Sequence, residues 1–169
     1  MKIDKDKILL RKATIEDIDI IIRYRIIFLK ESQSISSPKL EALLKQSLRQ
    51  YFTKSLENDS FISWIAEYEN KPIGFSGMVI REQPGNFEIP NGKTAYILNM
   101  FTIKEFRKNG IGSLLFQKLI DEAKLKNLDK IELHATNDGE PIYRQFGFIE
   151  PQHKALEITI NKPLWIKNP

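Results

Sequence analysis

The run Arg107-Lys108-Asn109-Gly110-Ile111-Gly112-Ser113 places two glycines and two cations between two kinds of element. Ahead of it lies a strand-like stretch, Tyr96 to Ile103, and behind it an amphipathic helix-like stretch, Gly112 to Lys126. A glycine-rich turn from strand into helix leaves the first backbone N–H groups of the helix unpaired and aimed at one point. The helix dipole adds partial positive charge there, and Arg107 and Lys108 add whole charges. Such a loop suits a phosphate-bearing ligand. Two familiar phosphate loops do not fit it. The pattern Gly-x-x-x-x-Gly-Lys-Ser/Thr does not occur, and Leu115 stands where a dinucleotide fingerprint needs its third glycine.

The elements that must position this loop can be read from periodicity. Ile8-Leu9-Leu10-Arg11 predicts a first strand, followed by Thr14 as N-cap of a helix running through Ile18, Ile21, Ile22, Arg25 and Leu29 to about Ser32. Ser34 to Pro38 breaks that helix, and Pro38 to Glu57 forms a second, apolar at Leu40, Leu43, Leu44, Leu48, Tyr51 and Phe52. Ser60 to Glu69 and Pro72 to Arg81 read as a hairpin joined by a tight turn. Gln83 to Gly92 is a loop, and Thr94 to Ile103 is strand four. Strand five is predicted over Lys130 to Ala135, a short helix over Glu140 to Phe146, and a last hairpin from Phe148 and Leu156 to Ile160.

Composition narrows the function classes. At 169 residues, 41% hydrophobic and 28% charged, the chain predicts one globular domain over residues 1–169. No apolar run is long enough to span a membrane, and the charged N-terminus lacks the apolar stretch of a signal peptide, so the expected location is cytoplasmic. With no cysteine and two histidines, neither a thiolate nucleophile nor a metal site is expected. A net charge of +4 suits an anionic ligand, and no basic tract indicates nucleic acid. His134, inside predicted strand five, reads as a hydrogen-bonded core histidine.

The pattern Arg107-x-x-Gly110-x-Gly112 after an apolar strand resembles the pyrophosphate loop of the GNAT acyl-CoA N-acyltransferases. Pro141 to Phe148, with its Tyr-x-x-x-Gly-Phe ending, resembles that family's second cofactor segment. The order β-α-α-β-β-β-α-β-α-β-β extends the resemblance from Ile8 to about Ile160. It implies an α/β GNAT fold: a mixed, mostly antiparallel sheet, helices on both faces, and a splay between strands four and five.

The resemblance also implies roles. Acetyl-CoA is the acyl donor, its pyrophosphate held by Arg107, Lys108, Asn109, Gly110, Ile111, Gly112 and Ser113. Its pantetheine arm would lie along the backbone of Met100, Phe101 and Thr102, with Asn137 contacting an amide. Tyr143 would protonate the leaving thiolate. Read from the residues themselves, Glu31 at the end of the first helix could serve as the base or bind the cationic amine, as could Asn99 through an ordered water. Tyr24, Arg25 and Phe28, near Glu31 in sequence, read as structural or solvated groups. The implied reaction is direct acetyl transfer to a primary amine of a small molecule or a protein. The alternative is an acyl-CoA-binding module without turnover. Leu164-Trp165-Ile166 offers a surface for a possible homodimer.

Overall fold

The computed structural model describes residues 3–33 and 37–160, which form two compact units, Met1–His134 and Ala135–Pro169. The break at Ser34-Ile35-Ser36 and the apolar Leu164-Trp165-Ile166 lie outside the described residues.

The first unit contains β1 (Ile8–Lys12), α1 (Ile18–Ser32), α2 (Pro38–Glu57), β2 (Phe61–Tyr68), β3 (Lys71–Glu82), β4 (Lys93–Thr102), α3 (Ile111–Leu125) and β5 (Lys130–Glu132). The sheet runs β1-β2-β3-β4-β5, antiparallel except for the parallel β4–β5 pair. The β2–β3 hairpin closes through Glu69 and Asn70, at φ +52° and +60°. Two successive left-handed residues match the right-handed twist of the strands they join. Ser37 caps α2 by accepting the Leu40 N–H at 3.3 Å, and Pro38 takes the first helical position.

Helices cover both faces of the sheet. On one face α1 and α2 bury Ile21, Ile22, Leu48 and Phe52 against Phe61, Ile65, Phe75 and Phe101. On the other, Ile111 and Leu115 of α3 pack on Ala66 and Ile73, with Met100 beside them. These apolar faces supply the main stabilisation and set the register of the central strands.

Two features of β4 shape the site. Opposite Phe75 and Gly77 its register slips, so that Phe101 and Leu98 are the facing residues, and Asn99 stands between them at φ +60°. That is a β-bulge, with one extra residue in β4. In addition, β5 pairs with β4 only from Thr94 to Tyr96. Beyond Tyr96, β4 has a strand on its β3 side alone among the described residues, which is the expected splay.

Three expectations need correction. Strand five ends at Glu132 rather than Ala135, because a parallel partner must follow β4, whose course changes at the bulge. His134 is consequently exposed and outside the strand, with its Nδ1 hydrogen-bonded to the Tyr96 hydroxyl. The final hairpin is absent from the described residues: 149–160 form no regular structure, and Leu156, Ile158 and Ile160 are exposed. Alternation alone does not make a strand where no neighbour supplies the ladder.

In the second unit, α4 (Glu140–Gln145) follows a turn at 137–139. Thr136 closes that turn, its hydroxyl and carbonyl accepting from Gly139 N–H and its carbonyl also from Glu140 N–H.

Candidate active site

The loop between β4 and α3 begins as a short 3-10 turn, Lys104–Phe106, and then reverses through two left-handed residues, Lys108 at φ +63° and Gly110 at φ +81°. Glycine suits the second position because a Cβ there is sterically penalised. The Asn109 side chain donates to the Phe106 and Arg107 carbonyls at 3.1 and 3.2 Å and fixes the turn. The Gly110 carbonyl accepts the first helical bond of α3 from Leu114, so the N–H groups just before Leu114 open the helix. No acidic residue occupies that first turn. The Lys5 ammonium lies 3.6 Å from the point where a Gly110 Cβ would stand. The loop therefore presents backbone donors, a helix dipole and cations from two parts of the first unit, an arrangement that can bind a phosphate.

Arg107 has a role the sequence does not reveal. Its Nε donates to the Thr102 carbonyl at 2.9 Å, its Nη2 to Glu31 at 2.6 Å, and its guanidinium lies 5.5 Å from the Phe101 ring centre. It joins the end of β4 to the end of α1. Glu31 and Arg107 are thus brought together, beside Phe101 and Thr102. Met100 is half-buried towards α3 and Phe101 is buried towards α1, so backbone rather than side chain lines the open edge of β4.

Asn99 is 1% exposed at the bulge, and its Oδ1 accepts a hydrogen bond from Arg25. Burial pushes the Arg25 guanidinium pKa down. Arg25, read from the sequence as structural or solvated, is instead the hydrogen-bond partner of the bulge residue. Its signal is legible, since it occupies a position on the isoleucine stripe of α1, where a charge must be explained. Lys5 leaves no comparable signal, because only the fold brings it to Gly110.

Within the second unit Tyr143 is 8% exposed, and burial pushes its phenol pKa up. Its ring lies over the entry of α4. A Cβ on Gly139 would stand 3.1 Å from Tyr143 Cε2 and 3.4 Å from its hydroxyl oxygen. Gly139 is therefore the residue that leaves room for this ring. Asn137 is exposed in the preceding turn, where Thr136 rather than Asn137 or Asp138 makes the capping bonds. Among the described residues no group of His, Asp or Glu could hold a metal ion, and no helix is long and apolar enough to cross a membrane.

These features define a mixed-sheet α/β protein whose fourth strand is bulged and, among the described residues, opened on one side, beside a helix entered through glycine. The model of the acetyltransferase (GNAT) family matches residues 27–148, and the chain belongs to that family. A predicted acetyltransferase from Clostridium acetobutylicum, solved with acetyl-CoA, is 30% identical, with 90% of this chain and 96% of that one covered and a TM-score of 0.82. A GCN5-related N-acetyltransferase from Ralstonia eutropha JMP134 shares the fold at 24% identity, covering 89% and 98%, with a TM-score of 0.78. An aminoglycoside acetyltransferase from an uncultured soil metagenomic sample, in complex with sisomicin, shares it at 17% identity, covering 94% and 97%, with a TM-score of 0.62. No curated protein matches the chain. Family and fold together support an acetyl-CoA-dependent acetyltransferase.

Proposed function

We propose that this protein transfers acetyl from acetyl-CoA directly to a primary amine. The observation that carries the reading is the bulged, one-sided end of β4 standing directly before the glycine-entered α3. An extended, amide-rich arm can hydrogen-bond to an open strand edge as an added strand would. Its pyrophosphate then falls to the loop of Arg107 to Ser113, with Lys5 adding charge. The relative solved with acetyl-CoA supports this choice of donor.

In the reaction, the amine nitrogen attacks the thioester carbonyl and a backbone N–H of the Met100–Thr102 edge stabilises the oxyanion. Collapse of the tetrahedral intermediate breaks the C–S bond, and Tyr143 gives its proton to the departing thiolate. A phenol whose pKa is raised by burial stays protonated at neutral pH, as that role requires. Asn99 and Glu31 serve the acceptor side. Glu31 accepts the proton that the attacking amine loses, or holds the cationic amine before attack, and Asn99 acts on that proton through an ordered water. Asn137 adds a pantetheine contact.

The test is thiol release from acetyl-CoA across a panel of amines, comparing the wild type with Tyr143→Phe. The chain has no cysteine, so a thiol-reactive dye meets no protein background. Amine-dependent release should fall about 10²- to 10⁴-fold in the variant, with acetyl-CoA affinity by calorimetry unchanged. Full activity of Tyr143→Phe would remove the tyrosine from the mechanism. Binding of acetyl-CoA with no release on any amine would instead indicate a binding module.

A further inference from the structure

Two buried polar atoms that lack a partner among the described residues belong to side chains that touch: Arg25 Nε and Asn99 Nδ2. Arg25 Nη1 donates to Asn99 Oδ1, which engages the acceptor end of that amide. What the pair still offers is N–H donors alone. A buried donor left open is destabilising, so a group that accepts from both would relieve that penalty.

The charge around them points the same way. Arg25 and Arg81 make no ion pair among the described residues, and Arg81 lies 4.2 Å from the centre of the Tyr96 ring. Arg81 stands two residues beyond Val79, which packs against the α1–α2 cluster, so it shares the sheet face on which Arg25 meets Asn99. The neighbouring carboxylates bond to other cations and not to Arg25 or Arg81 among the described residues. Glu132, opposite Tyr96 in the register, is held by Lys130 at 3.0 Å, and Glu31 by Arg107 at 2.6 Å. Water would satisfy the donors but leave the positive charge standing. A carboxylate does both, and its two oxygens match the planar fork of an arginine.

We propose that the acceptor amine carries a carboxylate, received by Arg25, Asn99 and Arg81. This rests on the transfer reading and names its substrate class: amino acids or carboxylate-bearing amines rather than polyamines. Arg25 and Arg81 are then specificity residues of the acceptor site.

The experiment measures kcat/KM for α- and ω-amino acids, each against its own carboxamide, and for simple diamines. Wild type should prefer the acids by roughly 10- to 100-fold, mostly through KM. Arg25→Gln and Arg81→Gln should bring the acid-to-amide ratio towards one. Arg25→Lys, which keeps the charge but loses the fork, should fall between. Thermal melting shows whether Arg25→Gln folds, and the exposed Arg81 provides the second arm if it does not. Equal use of acids and amides by wild type would overturn the inference, as would a ratio that survives in both Gln variants. Either result would leave Arg25 and Asn99 as a brace for the bulge. Preferred acetylation of diamines sinks this inference alone, whereas turnover of no amine sinks the transfer reading as well.

Discussion

Arg11 and Arg25 are both drawn partly out of water, yet their surroundings differ in kind. Arg11 donates to Asp17 at 2.8 Å through two nitrogens and to Glu67 at 2.9 Å through a third, so two carboxylates answer one cation. The same Asp17 accepts the Thr14 N–H at 2.8 Å and closes the entry to α1. Among the described residues Arg25 has one neutral partner, an open Nε and no carboxylate. A region that answers its own charges contributes to folding. On the proposed reading, a region that leaves donors open keeps them for a ligand. The contrast teaches where to expect effects on stability and where to expect effects on activity.

The largest effect should come from breaking the compensated side. Asp17→Asn should lower unfolding stability by about 2–3 kcal/mol, somewhat below a fully buried pair because Arg11 is a third exposed. Urea unfolding would show it, with kcat/KM for the best amine unmoved; a catalytic defect at full stability would break the comparison. The same group sets an acid limb. The hydrogen bond from Arg11 holds the Asp17 carboxyl below its ordinary range. Its stabilisation is therefore complete above the unfolded value of about 3.9 and is lost as pH falls through the lower, folded value. Stability measured against pH should lose part of this acid limb in Asp17→Asn.

On the open side the signs reverse. Arg25→Gln should cost roughly 10- to 100-fold in preference for carboxylated amines while melting at or above the wild-type temperature, since a buried charge without a counter-ion is removed. A large loss of stability would make Arg25 structural after all. Smaller is Gly110→Ala, where φ +81° should cost about 1 kcal/mol of stability and weaken acetyl-CoA binding, both read by calorimetry. Smallest is Lys5→Ala, expected to raise KM for acetyl-CoA about two- to fivefold at low salt and less at high salt. No change at low salt would exclude Lys5 from the phosphate site.

Much of the fold is legible in the residues themselves. The α2 span, the hairpin turn at Glu69-Asn70, and the strand–glycine–helix passage from β4 to α3 follow from apolar period, caps and turn chemistry, which act over a few residues. Periodicity makes strand five too long and suggests a last hairpin where none is described, because a strand exists only with a partner and partners are distant in sequence. Local pattern marks the positions of Tyr143 and Gly110. It does not show that Gly139 makes room for the Tyr143 ring, or that Arg107 ties α1 to β4.

The sequence by itself determined most of the elements, the phosphate-suited loop and the family, since each rests on residue types at short, fixed spacing. Only tertiary structure decided which charges are answered. Arg11 and Arg25 look alike in a string of letters. Pairing with Glu67, 56 residues away, compensates one. A bulge at Asn99, 74 residues away, meets the other with a neutral amide. Electrostatic energy depends on distance in space, and the chain fixes that only when it folds.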